Sequence, residues 1–367
     1  MMLAFFGLIL ALQACSEQKR SFSVSKIDNK SNDNFAEKQL LEIANSSTGR
    51  ERFDAMSKLA DLRLGQSPAQ QEALITQLSQ FAREAFGSTS VEYAKTLQRQ
   101  ARLLFRQRNY SACAETWQSA GEIFSAKGDD YICEQAECVS GQIAGECATG
   151  KCAQEVQLYE QLLKLRRKCF GDTNQQTMIS MMLLGETYSK AGRYKEALEQ
   201  FETYADWAKT RSAAEQNASQ LNIARTLIRM GEFDKGEAIL KECMNYAITH
   251  ETATEPNPTH IPVIKAYILL NDKRKNYKQE LVYAKELADI SEKLMGKEHP
   301  QLPSSLMIYV EALEKVGKKK EAEQVMNRIR QIEMKHPEGQ KAMHVGSSGA
   351  VQDAISKDLA DAAAKRK

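Results

Sequence analysis

The sequence predicts an all-α protein made of a row of antiparallel helix pairs. Three observations carry this. Glycine and proline are sparse, at 19 and 7 in 367 residues, which suits helices better than the turns of a sheet protein. Apolar residues recur at helical spacing through the middle of the chain. That pattern restarts at a near-constant interval, the mark of stacked repeats. The charge balance narrows function as well. Fifty Lys+Arg stand against 48 Asp+Glu, a net charge of +2, so there is no polyanion-binding footprint. With 42% hydrophobic and 27% charged residues, the chain has the composition of a folded protein.

The first element is an address. Residues 1–14, MMLAFFGLILALQA, are almost wholly apolar. They fall short of the ~18 residues of a membrane span but suit a signal peptide. Leu12, Gln13, Ala14 and Cys15 resemble the lipobox of bacterial lipoproteins. The resemblance implies cleavage before Cys15 and a lipid on its thiol. It also implies a membrane-tethered protein, with Ser16 pointing to the outer membrane facing the periplasm. Residues 15–35 then read as a flexible tether.

The repeat domain is expected over residues 36–337. Its clearest unit, MISMMLLGETYSKAGRYKEALEQFETY, places Met181, Leu184, Gly185, Tyr188, Gly192, Tyr194, Ala197 and Phe201 in register. Small residues at Gly185 and Ala197 permit close helix crossing, and Tyr188 and Phe201 fill the space between pairs. Gly192 suits a turn that needs positive φ. Other copies run through Leu97, Ala101 and Tyr110; Ala224, Leu227 and Phe233; Ile264, Tyr267 and Tyr277; and Leu306, Leu313 and Ala322. Repeats are expected near 53–87, 94–127, 136–169, 178–211, 217–250, 261–294 and 303–336. The pattern resembles the tetratricopeptide repeat, an α-solenoid whose helix pairs wind into a right-handed superhelix. The step of about 42 residues exceeds the ordinary ~34 and is similar to the kinesin-light-chain-type subclass. So are the joints at Gly87, Gly171 and Gly296, the last followed by His299-Pro300. Asn222 alone stands where that subclass carries paired asparagines, so its cargo chemistry is not implied. Residues 338–367 fall outside the pattern and are expected to form a mobile tail.

Of eight cysteines, Cys113, Cys169 and Cys243 sit singly on expected second helices. Cys113 occupies a small-residue position and reads as a buried hydrophobe. The other four are nested: Cys133 with Cys152, and Cys138 with Cys147, share one midpoint. They lie in the repeat with the poorest packing pattern, where Gln142, Glu146 and Glu155 replace small or apolar residues. Disulfides Cys133–Cys152 and Cys138–Cys147 in an oxidising compartment are one reading. Free thiols and a four-thiolate metal site are the others.

No catalytic motif emerges. The five histidines lie at helix ends, joints or the tail, and no nucleophile elbow or phosphate-binding glycine loop is present. No enzyme activity, cofactor, metal, nucleic acid or small-molecule substrate is expected. The tetratricopeptide resemblance instead implies a groove lined by first helices. By position these residues are Arg102, Phe105, Arg106, Met182, Glu186, Lys190, Leu221, Arg225, Ile228 and Arg229. They suit a protein or peptide partner. The turns within pairs are basic, as at Lys273, Arg274 and Lys275 or Lys318, Lys319 and Lys320, and could attract anionic headgroups. The expectation is a non-catalytic, membrane-tethered, extracytoplasmic scaffold. A cytoplasmic adaptor with a different start, or a module stabilised by metal at the cysteines, stay open beside it.

Overall fold

The structure is a computed structural model that describes residues 29–62, 68–150, 156–250 and 260–336. The expected signal peptide, Cys15, Cys152 and the 338–367 tail lie outside the described residues. Within them are fifteen α-helices, a single 3₁₀ turn and no strand. A leading helix, α1 (Asn29–Ser46), precedes the others, most of them in pairs. These are α2 (Gly49–Leu62) with α3 (Pro68–Phe86), α4 (Val91–Arg106) with α5 (Tyr110–Ala126), and α6 (Ile132–Ala148) with α7 (Val156–Phe170). Next come α8 (Gln175–Lys190), which ends the first compact unit, and α9 (Tyr194–Ala208), which begins the second, then α10 (Ala213–Arg229) with α11 (Phe233–Thr249). The last are α12 (His260–Lys273) with α13 (Tyr277–Met295), and α14 (Pro303–Lys315) with α15 (Lys319–Lys335). Helix α1 starts inside the stretch read as a tether, so that stretch is helical from Asn29 on. Two compact units divide between Ala191 and Gly192.

In the first unit, α1 contributes Ala44 to a core formed by Phe53, Leu59 and Leu78 of α2 and α3. The next core gathers Leu97 and Ala101 of α4, Cys113, Trp117 and Phe124 of α5, and Cys138 of α6. Helix α6 comes unusually close to α5. A Cβ added at Gly141 would overlap the Trp117 ring, and one at Gly145 would lie 2.9 Å from the Tyr110 carbonyl oxygen. Helix starts follow local chemistry. The Ser90 hydroxyl accepts from the Tyr93 amide at 3.1 Å, and Asn174 Oδ1 accepts from Gln176 at 2.8 Å, each satisfying an orphan donor of the first turn.

In the second unit the cores are richer in large aliphatic residues. Ile228, Leu240, Val263 and Leu270 are fully buried across α10 to α12, and Tyr267 stacks on Tyr283 of α13 at 4.8 Å. Leu302, Leu313 and Ile329 do the same for α14 and α15. Turns within pairs share one left-handed residue. It is glycine at Gly192, Gly231 and Gly317, with φ of 77°, 87° and 82°. At the corresponding turns α4–α5 and α12–α13 it is Arg108 (φ 62°) and Lys275 (φ 58°).

Candidate interaction surface

The first helix of each pair presents a face that the second helices leave partly open, and most residues expected there are found there. Met182, Glu186, Arg225 and Arg229 are half-buried, and Arg106 and Lys190 are exposed at helix ends. Arg102 is half-buried, ion-paired to Glu137 of α6, and lies 5.4 Å from the Trp117 ring. It ties α4 to α6. Phe105 is half-buried and meets Tyr110 edge-on at 5.2 Å. Leu221 and Ile228 are corrections. Both are buried in the core between α10 and its neighbours, at 6% and 1% exposure. For Ile228 the reason is Gly236: without a Cβ it lets Ile228 pack onto the α11 backbone, where a Cβ would stand 2.7 Å from Ile228 Cγ1.

Charge on this face is segregated in the second unit. Burial, then the neighbouring Arg225, holds Arg229 below the usual guanidinium range, with Tyr194 opposing. Burial, then Arg225 again, depresses Lys265 of α12. Lys265 keeps a large exposed area although protein crowds its ammonium. Farther along, Lys315 Nζ donates to Asp272 at 2.6 Å and to buried Glu280 at 2.7 Å. Burial opposes the charge on Lys315, but these bonds outweigh it and raise its pKa. The second oxygen of Glu280 is buried without a hydrogen-bond partner. Glu311 of α14 is pushed upward by burial, with Lys315 opposing and Glu280, Glu314 and Asp272 adding to the rise.

Some cations of the basic turns are paired within the fold. Arg274 donates to Glu237 and Asp234 at 2.6 Å each and sits over Phe233. Arg193 pairs with Glu196 at 2.9 Å, and Lys318 with Glu321 at 2.8 Å.

The nested cysteine pairing is also corrected. Cys133 is bonded to Cys169, with Cα atoms 5.2 Å apart. The antiparallel pair places the start of α6 beside the end of α7, so these residues meet although 36 apart in sequence. Cys138 and Cys147 stand nine residues apart on one helix, ~13 Å along its axis, beyond the reach of a disulfide. Cys147 is disulfide-bonded. Cys138 is free and buried, and the Gln98 amide donates to its sulfur at 3.4 Å. Burial raises the thiols of Cys113, Cys138 and Cys243 to about 11, 12 and 12. None of the three is a thiolate at neutral pH. Among the described residues no group of three or more His, Cys, Asp or Glu is placed to hold a metal. None of the described helices is long and apolar enough to cross a membrane.

Residues 143–208 match the family model of the tetratricopeptide repeat. No curated protein matches the chain. Among solved structures, the apo form of the quorum sensor NprR from B. thuringiensis is 13% identical, with 90% of this chain and 87% of that one covered and a TM-score of 0.54. Aspartyl phosphate phosphatase F from Bacillus subtilis is 11% identical over 95% and 93% of the two chains, with a TM-score of 0.51. BtubC (BKLC) from P. vanneervenii is 15% identical over 62% and 91%, with a TM-score of 0.44. The first two share the fold. The match over residues 143–208 and the run of antiparallel helix pairs show tetratricopeptide-type repeats in this chain.

Proposed function

We propose that the chain is a non-catalytic scaffold that holds a partner protein or peptide against the open face of its first helices. The observation that carries this is the cationic group on that face. Arg225 and Lys265 are crowded together, and no carboxylate lies within ion-pair range of either among the described residues. Like charges gathered on one face raise the free energy of the unliganded state, and an anionic side chain of a partner relieves it. The test is photo-cross-linking from Asn222, half-buried beside Arg225 on α10. A discrete partner should cross-link to the wild-type chain, and Arg225→Glu with Arg229→Glu should abolish that product while leaving the helical circular-dichroism signal intact. An unchanged product would remove the reading.

The same proposal places the protein outside the cytoplasm, tethered through Cys15 to a bacterial membrane, the outer one facing the periplasm. The disulfides at Cys133–Cys169 and at Cys147 support this, since such bonds persist in oxidising compartments. Growth with labelled palmitate should label the wild-type chain and not Cys15→Ser. Equal labelling of both, or of neither, would rule out the tether.

A further inference from the structure

The open face of α12 changes sign along its length. Lys265, Leu269 and Asp272 are spaced i, i+4 and i+7 and therefore share one stripe. Lys265 is exposed, and Leu269 and Asp272 are half-buried. At one end the neighbouring α10 adds Arg225, which couples to Lys265. At the other end α14 adds Glu311, which couples to Asp272 and Glu280. Lys315 offsets one charge of Asp272 and Glu280 through short hydrogen bonds. With Glu311 included, three carboxylates face one ammonium, and the spare oxygen of Glu280 is buried without a partner. The acidic end therefore lacks a cation as the basic end lacks an anion.

Seven residues of helix separate Lys265 from Asp272, ~10 Å along the axis. An extended peptide advances ~3.3 Å per residue, so this span matches three positions. We propose that this face recognises an extended partner segment bearing a carboxylate and a cationic side chain three residues apart. An apolar residue between them would lie over Leu269. The inference rests on the scaffold reading and sharpens it. A polyacidic segment would be repelled at the Glu311 end, and a polybasic one at the Arg225 end. The two poles also fix the direction in which the segment lies.

The experiment is fluorescence anisotropy of the full chain with four labelled peptides of equal length and composition. Two contain Glu-Ala-Leu-Lys or Lys-Ala-Leu-Glu, and two carry the same charges adjacent, in either order. One of the spaced peptides should bind about tenfold more tightly than either adjacent one. The charge swap Lys265→Glu with Glu311→Lys changes two exposed side chains, leaves each end with as many cations as anions, and should abolish the order preference. Equal binding of all four, or an order preference that survives the swap, overturns the inference. A partner cross-linked from Asn222 without any spacing preference overturns this inference alone. Absence of both the cross-link and peptide binding overturns the scaffold reading as well.

Discussion

The α6/α7 pair and the α12/α13 pair solve one packing problem with different chemistry. Helix α12 fills its core with Val263, Ile264, Tyr267 and Leu270, all buried. Each large side chain taken from water contributes ~1.5–3 kcal/mol. Helix α6 buries Ala136, Gly141, Ala144 and Gly145 along with Val139 and Ile143. Its small residues yield space to Trp117 and bring backbones close, but each glycine in the helix interior costs ~1 kcal/mol relative to alanine. Where α12 relies on burial, α6 adds covalent staples at Cys133 and Cys147. The lesson is that a repeat can keep its geometry while the force holding it changes from solvent exclusion to cross-linking.

The largest expected effect tests the stapled pair. The Cys133–Cys169 bond closes a separation of 36 residues, for which chain entropy gives ~4 kcal/mol. Cys133→Ala with Cys169→Ala should lower the urea midpoint accordingly. Hydrogen exchange should show α6 and α7 losing protection while α12 and α13 keep theirs. If protection falls equally in both pairs, the contrast between them is wrong. Next in size is Leu270→Ala, which removes a side chain at 1% exposure from α12. A loss of ~3 kcal/mol is expected, and reducing agent should leave that loss unchanged.

The contrast was only partly legible in the sequence. The small–large pattern around Gly185, Ala197 and Phe201 identified the repeat, because those positions must recur wherever helices cross. Positive φ at Gly192 likewise followed from its place after a helical run. The Cys133–Cys169 pairing was hidden, because the eye groups cysteines by sequence distance. The signal was available: an antiparallel pair brings the first turn of α6 to the last turn of α7. Ile228 was misplaced for a related reason. Whether a flank of α10 is open depends on how closely α11 approaches, and Gly236 decides that. Helix α1 went unseen because its mostly polar sequence gives little periodic signal, and Ala44 is its one buried apolar residue among those whose side chains are described. The charge reversal along α12 needed the neighbours Arg225 and Glu311, which only the fold supplies.

Alkaline pH should sharpen the comparison further. Burial raises Cys138 to about 12, while an unfolded thiol titrates near ~8.5. The folded state therefore holds its proton longer. The contribution is complete below the unfolded pKa and is lost as pH rises toward 12. Thermal stability should decline from about pH 9 upward, and Cys138→Ala should flatten that decline. Cys243 of α11 is raised similarly, so Cys243→Ala should flatten it as well. If only one variant responds, burial does not act alike on the two thiols.

The smallest effect concerns a feature the two regions share. Arg108 and Lys275 occupy left-handed backbone at φ 62° and 58°, where the other turns within pairs described above have glycine. A side chain in that region costs roughly 1 kcal/mol, whereas glycine enters it freely but loses more freedom on folding. The difference favours glycine by a few tenths of a kcal/mol, up to ~1. Lys275→Gly and Arg108→Gly should each raise the thermal midpoint slightly, by similar amounts. Both side chains are exposed, so neither change removes core packing. Equal gains would show that turn chemistry is independent of whether a neighbouring core is stapled or greasy. A gain at Lys275 with a loss at Arg108 would mean that the α4–α5 turn holds its arginine for a contact rather than tolerating it.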